Sequence, residues 1–313
     1  MTTGTAGRIT ARTRLGDRVF STSTIVAGSI ILATLAAVAI FLVIQSLPAL
    51  AAKPGTLPNA APNFWVYVGP LVFGTIWAAA LAMLMAVPVS IGVALFISHY
   101  APRRIAQVLG YIVDLLAAVP SVVFGLWGVQ VLAPAIQPFY VWLNTNVPWI
   151  PLFDGEVSGT GRTILTVAIV LAVMVLPIMT AVCREIFMQT PRLHEEAALA
   201  LGATRWEMIR TAVLPFARPG IVSAAMLGLG RALGETMAVA IVLSPAVVVS
   251  FVLLTSQNPQ TIAGNIAQQY SEASGIGLNA LVASGLVLFV ITFVVNAVAR
   301  FVISRRKEFS GAN

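Results

Sequence analysis

The chain has 313 residues, of which 58% are hydrophobic and only 9% are charged, and its mean hydropathy is +0.94. Such a composition excludes a soluble domain, whose surface must be wetted by water, and predicts an integral membrane protein. The net charge of +7 does not indicate nucleic-acid binding, because the arginines form short clusters between apolar runs. One cysteine excludes an intrachain disulfide, and the two histidines, His99 and His194, have no metal-ligand spacing.

Six apolar windows are long enough to cross roughly 30 Å of hydrocarbon as a helix. They lie near residues 24–46, 68–97, 106–133, 163–183, 219–244 and 278–302. The sequence therefore predicts an all-α membrane protein with six transmembrane helices. We divide it into a cytoplasmic N-terminal segment (1–21), a six-helix transmembrane domain (22–303) and a cytoplasmic tail (304–313).

Basic residues predict the orientation of these helices. Most of the 18 Lys and Arg residues lie before the first window, after the second, after the fourth and after the sixth. Basic loops are retained on the cytoplasmic side of a membrane, so both termini are predicted to be cytoplasmic.

The first window also has features of a secretory signal peptide, because an arginine-rich start and an apolar run precede the small-residue site Ala49-Leu50-Ala51. Its apolar run is too long for an ordinary signal peptide, and we interpret it as a retained helix. Prolines then indicate one outer loop, and a second is expected from Ala133 to Arg162.

The third window contains an acidic residue, Asp114, and a proline, Pro120. Asp114 is expected to reach cytoplasmic water or the basic pair Arg103 and Arg104 rather than to take part in transport. Pro120 is expected to kink the helix.

The loop from Thr190 to Pro215 has more local signals than any other. Thr190 is predicted to cap a short helix that Gly202 closes in a left-handed conformation. Thr204 and Glu207 have the spacing of a capping box for a second helix, which Pro215 is expected to end before the fifth window. The loop is thus predicted to be a rigid helix-turn-helix.

Two interpretations of this loop remain open. It is either an amphipathic connector on the lipid surface, anchored by Trp206, or a docking element for another protein. Ala197, Ala198 and Ala200 would give the docking element one slim face that fits a groove.

The segment GRALGETMAVAI, residues 230–241, places two charges in the fifth window. Arg231 lies about 18 Å beyond Pro219, at about 1.5 Å per residue, and so near the middle of the membrane. A central arginine costs about 2.5 to 3.5 kcal/mol, and Glu235 at i+4 is expected to pair with it on one helix face. The pair either holds the helix against a neighbour, aided by Gly230 and Gly234, or faces a water-filled path.

The outer segment from Pro245 to Gly277 has a less regular pattern. AVVVSFVLL (246–254) is apolar but too short to span a membrane, and it remains unassigned. TIAGNIAQQYSEA (261–273) is predicted to be a short amphipathic helix.

The loop from Thr190 to Pro215 resembles the EAA motif of ABC importer permeases. Glu196-Ala197-Ala198, Gly202 and Leu214-Pro215 have the motif's spacing, with Ala212 in place of the usual isoleucine. The resemblance implies a type I ABC importer permease fold in which this loop docks into a separate ATPase subunit. The implied coupling residues are Glu195, Glu196, Ala197, Ala198 and Gly202.

Other segments narrow the resemblance to PstC-type permease subunits of phosphate-specific ABC importers. They are RLGDRVF (14–20), PSVVFGLWG (120–128), GRALGETMAV (230–239) and TIAGNIAQQYSEA (261–273). The resemblance implies a multi-pass protein of the bacterial plasma (inner) membrane that forms half of an ATP-driven phosphate path and is not itself an enzyme. The implied partners are a homologous PstA-type permease, a PstB-type ATPase dimer and a PstS-type phosphate-binding protein.

No cofactor is expected in this chain. The lysines are Lys53 and Lys307, and neither follows a phosphate-binding glycine loop. ATP and Mg²⁺ are therefore expected on the partner ATPase.

On the implied phosphate path, Arg231 would hold the anion through its planar fork of donors. Glu235 would weaken capture by competing for Arg231, and it would accept a hydrogen bond from protonated phosphate, which sulfate cannot donate near neutral pH. Thr236 and Ser121 would add neutral hydroxyl contacts.

Two other functions remain open. A permease for another oxyanion, such as molybdate or sulfate, would differ only along its path. An ion-coupled secondary transporter would use Arg231, Glu235 and Asp114 as a relay, but the sequence lacks the second broken segment typical of inverted repeats. A membrane enzyme is disfavoured because no nucleophile-base or metal set is visible.

Overall fold

The computed structural model describes residues 15–307 and the side chains of residues 15–301. Most of the described chain is helical. The helices are α1 Leu15–Leu50, α2 Phe64–Leu95, α3 Arg103–Ala117, α4 Ser121–Trp127, α5 Ala133–Asn146, α6 Ile164–Met188, α7 Arg192–Ala200, α8 Arg205–Met208, α9 Leu214–Gly234, α10 Met237–Val242, α11 Ile262–Gln269 and α12 Ile276–Lys307. Wider π-helical turns cover Phe96–Tyr100, Gly128–Leu132 and Ile209–Val213, and two short strands are β1 Pro245–Ala246 and β2 Asn258–Pro259. Residues 1–14 and 308–313, at the ends of the predicted terminal segments, lie outside the described residues.

Six helices in the described residues are long and apolar enough to cross a membrane, as the sequence predicted. They are Leu15–Leu50, Phe64–Tyr100, Ser121–Asn146, Ile164–Met188, Arg205–Gly234 and Ile276–Phe301. The chain is therefore a multi-pass membrane protein.

The predicted third span, 106–133, was wrong. Its first half is the separate amphipathic helix α3, and the spanning helix runs from Ser121 to Asn146. Pro120 explains the break, because a proline disfavours helical backbone at the residue before it, Val119. The predicted outer loop from Ala133 accordingly begins only at Val147.

The fifth span also differs from its predicted range, 219–244. Pro215 does not end the second loop helix, because one continuous helix runs from Arg205 to Gly234. The π-helical turn Ile209–Val213 lies directly before this proline, whose missing N–H removes one backbone hydrogen bond of the helix. The chain leaves the helix after Gly234, and a separate short helix, α10, follows.

The unassigned segment AVVVSFVLL does not span the membrane but folds over the end of the bundle at which α6 begins. Leu253 and Leu254 are buried, and the N–H of Leu253 donates to the Leu152 carbonyl. The Phe251 ring lies 4.8 Å from that of Phe73 and 5.2 Å from that of Trp77, centroid to centroid. The expected amphipathic helix after this segment is confirmed as α11.

Helix α6 lies at the centre of the bundle and packs against α2 and α9, whereas α1 packs along α12 at its edge. Close contact between α6 and α9 depends on glycines, because a Cβ on Gly220 would collide with Ile186 and one on Gly228 with Val175. No helix of the described chain packs at Gly230 and Gly234, since nothing in the described structure lies within 4 Å of a Cβ at either position.

Arg162 joins the end of α10 to the start of α6. Its Nε donates to the Val242 carbonyl at 3.1 Å, and its Nη2 donates to the carbonyls of Ile241 at 2.9 Å and Leu243 at 3.2 Å. The buried Asn258 amide donates to the Arg162 carbonyl. These bonds satisfy carbonyls that end a helix and fix α10 in place.

We expect the substitution Gly161→Ala to lower stability by more than about 2 kcal/mol. Gly161 has φ +68°, and an added Cβ would collide with the Ala133 carbonyl oxygen and lie 2.8 Å from its carbon. The measurement is the melting temperature of the purified protein in detergent. Gly159→Ala is the matched control, because nothing lies within 4 Å of its added Cβ, and equal melting temperatures for the two variants would contradict the prediction.

Candidate functional site

Arg231 lies one turn before the end of α9, at the depth of the middle of α6. Gly228, three residues earlier, is in contact with Val175 and Met179 near the centre of the 25-residue helix α6. The arginine side chain is partly buried, and its buried Nε has no hydrogen-bond partner in the described structure. A guanidinium at this depth with an unused donor can bind an anion.

Glu235 does not pair with Arg231, so the predicted ion pair on one helix face was wrong. Helix α9 ends at Gly234, and Glu235 has the extended angles φ −68° and ψ 125°. Its Oε1 instead accepts a hydrogen bond from the N–H of Ala238 at 3.0 Å and so caps α10. Among the described residues, no ion pair within 4.0 Å includes either charge. Gly234 and the three-residue spacing from Glu235 to Ala238 were the sequence signals for this break.

Ser121 and Thr236 lie at the starts of two parallel helices, α4 and α10. A Cβ on Gly125 would meet Ala238, and one on Gly128 would meet Val242, so the two helices pack against each other and run in the same direction. Both side chains are partly buried. The Thr236 hydroxyl donates to the Gly234 carbonyl at 3.2 Å. Ser121, Glu235 and Thr236 therefore lie toward the same end of these two helices, and Arg231 lies about one helical turn before Glu235 in the chain.

The predicted helix-turn-helix at residues 190–215 is confirmed in outline. Gly202 has φ +87°, and the Thr204–Glu207 capping box is formed in both directions. The predicted cap at Thr190 was wrong, because α7 begins at Arg192 with Pro191 as its N-cap. Thr190 is 4% exposed, and its buried hydroxyl has no partner in the described structure.

Helix α7 has one face that no part of the described chain covers. Leu193 is 75% exposed, Leu201 is 90% exposed, and Ala197 lies between them at the same helical spacing. Glu196 is also exposed, whereas Ala198 is partly buried against the helix core. We call the residues Leu193, Ala197 and Leu201 the apolar stripe. Ala198 therefore does not belong to the free slim face that the sequence suggested.

Glu195 faces inward from α7, toward the end of α2. Its Oε1 lies 3.6 Å from the His99 Nε2, so Glu195 and His99 form an ion pair when the imidazole is protonated. Asp114 pairs with Arg184 at 3.6 Å, and not with Arg103 or Arg104 as expected. Within residues 15–307 no group of three or more His, Cys, Asp or Glu side chains could hold a metal ion.

Comparisons with known proteins identify the family. Residues 86–308 match the model of the family described as "Binding-protein-dependent transport system inner membrane component". Two curated relatives cover nearly the same length. The "Phosphate transport system permease protein PstC 2" of Mycobacterium tuberculosis (strain ATCC 25618 / H37Rv) is 46% identical over 92% of this chain and 91% of its own. The "Phosphate transport system permease protein PstC" of Mycobacterium leprae (strain TN) is 48% identical over 84% of this chain and 85% of its own.

The chain belongs to this family of transport permeases. The match to the permease family contains both features described above, the Arg231 region and the α7 loop, whereas α1 lies before it. A solved structure agrees with the permease fold. It is described as a "bacterial ABC transporter involved in the import of the acidic polysaccharide alginate" and is similar with a TM-score of 0.58 and 17% identity, over 92% of this chain and 99% of that chain.

Proposed function

We propose that this chain is the membrane subunit that forms one half of the path of an ATP-driven importer of inorganic phosphate. The carrying observation is the 46% identity over 92% of the chain with a phosphate transport permease. The chain itself catalyses no covalent reaction. ATP and Mg²⁺ are bound by a PstB-type ATPase dimer, a PstA-type permease forms the other half, and a PstS-type protein delivers phosphate. Both termini lie in the cytoplasm.

Arg231 is the residue that we assign to phosphate on this path. Its guanidinium is permanently charged, lies at mid-depth, and keeps the Nε donor unused within the described chain. An unpaired arginine in the membrane costs free energy because its charge is removed from water. A transported anion would lower this cost, and the arginine would in turn stabilise the anion. Ser121 and Thr236 add hydroxyl contacts at the adjacent helix starts.

Glu235 gives the path a means of selecting phosphate. One carboxylate oxygen caps α10, which leaves Oε2 to accept a hydrogen bond from a protonated phosphate oxygen. Sulfate has no such proton near neutral pH. The Glu235 carboxylate also repels the phosphate anion, so that binding to Arg231 stays weak enough for release.

The helix from Arg205 to Gly234 can connect ATP hydrolysis to this site. It begins in the α7–α8 loop and carries Arg231 in its last turn, without a break at Pro215 or Pro219. A movement of the docked loop is therefore transmitted along one helix to the phosphate site. The apolar stripe is the surface that docks onto the ATPase.

The test is uptake of radiolabelled phosphate by cells that lack their own importer and produce this chain with its partner subunits. We expect saturable uptake that excess unlabelled phosphate suppresses and that sulfate and molybdate do not. Uptake of labelled molybdate or sulfate instead of phosphate would establish another oxyanion permease. Uptake that persists without the ATPase subunit and stops when the proton gradient is dissipated would establish a secondary transporter.

A further inference from the structure

A cavity of about 600 Å³ lies at the end of the bundle that carries the α7 loop. Its walls are the end of α2, the inner face of α3, the last turn of α6 and the start of α7. A volume of this size is typical of small-ligand sites. The cavity is distinct from the Arg231 site, because Gly220 packs on Ile186 near it and Arg231 lies about 16 Å farther along α9, at about 1.5 Å per residue.

The cavity carries an excess of positive charge. Three arginines line it, Arg103, Arg184 and Arg192, and they face two carboxylates, Asp114 and Glu195. The Arg184 Nη2 is 3.6 Å from the Asp114 Oδ2, longer than the roughly 2.8 Å of a strong charge-assisted hydrogen bond. Asp114 therefore orients the guanidinium without using its full donor capacity.

Two hydrogen-bonding groups in this cavity are buried without partners in the described structure. One is the Thr190 hydroxyl, in a residue that is only 4% exposed, and the other is the Arg184 Nε. A buried polar group without a partner costs free energy, so such groups indicate a missing ligand. Gly110 contributes space, because its Cβ would collide with the Arg184 guanidinium, which lies across this glycine.

We propose that this cavity is a binding site for a phosphate group. Arg184 and Thr190 would hold its oxygens, and Arg103 and Arg192 would neutralise its charge from α3 and α7. A guanidinium fork with a neighbouring hydroxyl is the donor set that suits a phosphoryl group. The occupant would join the coupling loop to α3 and so stabilise the position of α7.

The phosphate group has two possible sources, a phospholipid headgroup or free inorganic phosphate. The outer face of α3 suits a neighbouring lipid, since Ile105, Val108 and Leu115 are at least half exposed. Free phosphate would instead reach the cavity from water at the loop end. The same donor groups would bind the phosphoryl oxygens of either source, and two probes distinguish the sources.

The experiment uses the membrane complex of the two permease subunits and the ATPase dimer in nanodiscs, without the PstS-type phosphate-binding protein. Arg231→Gln is present in every variant so that the path site does not contribute to binding. One probe is phosphatidylglycerol, titrated into phosphatidylcholine nanodiscs and counted by native mass spectrometry. The other is radiolabelled inorganic phosphate, measured by equilibrium binding in phosphatidylcholine alone. The cavity and the phosphate path are tested with substitutions of different residues. A negative result for the cavity therefore does not contradict the proposed path at Arg231.

We expect at least one probe to bind, and Arg184→Gln and Thr190→Val each to weaken it by about fivefold or more, as for the loss of one hydrogen bond. Arg104→Gln is the matched control, because Arg104 is an exposed arginine beside Arg103 that does not line the cavity. Thr190→Val removes only an unpartnered hydroxyl, so it also decides the question if Arg184→Gln fails to assemble. Unchanged binding in Thr190→Val, equal loss in Arg104→Gln, or no binding of either probe would overturn the proposal.

Discussion

Replacement of Arg231 by glutamine should reduce phosphate uptake to less than about a tenth of the wild-type rate, since a charged hydrogen bond lost at a buried site is worth at least tenfold. Glutamine keeps polar atoms at the position but removes the permanent charge and the fork of donors that bind an oxyanion. Removal of a charge at mid-depth also relieves its desolvation cost, so the protein should remain folded in the membrane. A loss of uptake therefore reports on binding of the anion and not on stability.

The measurement is the initial rate of radiolabelled phosphate uptake, normalised to the membrane abundance of the complex. Ser223→Ala on the same helix is the control, because this exposed hydroxyl donates only to the Pro219 carbonyl of its own helix. Arg231→Lys should retain partial uptake, as it keeps the charge without the fork. Wild-type uptake by Arg231→Gln would place the phosphate path on another face.

Features that depend on neighbours in the sequence were predictable. The Thr204–Glu207 capping box, the left-handed Gly202 and the amphipathic helix α11 follow from the chemistry of adjacent residues, and all three are confirmed. The number of spans followed from apolar length, because any segment that crosses lipid must satisfy its backbone within a helix.

Two helix breaks were missed although local residues marked them, and contacts between distant residues were not predictable. The apolar residues of α3 continue the hydrophobic run into α4, so the break before Ser121 is not visible in hydropathy alone. Glu235 was expected to choose Arg231 as its partner, but the Ala238 N–H is nearer once α9 ends. The bonds of Arg162 reach residues about 80 positions away along the chain, which no local pattern reveals.

The proposed phosphate cavity contains a residue, Thr190, whose local sequence signal predicted the wrong role. Thr190 followed by proline is a strong local signal for a helix cap, and the sequence predicts one there. The structure directs its hydroxyl into a buried space that Arg184, from another helix, also lines. A local rule that fails at a buried polar residue is expected at functional sites, where another requirement outweighs it.

Replacement of Ala197 by arginine should abolish recovery of the ATPase subunit with this chain and lower phosphate uptake by about tenfold or more, because a buried unpaired charge costs several kcal/mol. Ala197 lies at the centre of the apolar stripe, between Leu193 and Leu201, and its exposure means that a larger side chain meets nothing within the described chain. The fold should therefore be unaffected, while a groove shaped for a small side chain would be blocked.

The measurement is co-purification of the ATPase subunit with this chain, alongside phosphate uptake and membrane abundance. Ala197→Ser at the same position is the matched control, since it keeps the face small and should recover the ATPase like the wild type. The two interpretations of the loop differ here, because a connector that lies on lipid would tolerate a snorkelling arginine. Full recovery of the ATPase by Ala197→Arg would thus assign the apolar stripe to the lipid surface. Loss of the ATPase in Ala197→Arg, with normal recovery in Ala197→Ser, would place the ATPase against α7. The Arg205–Gly234 helix would then connect the ATPase to Arg231.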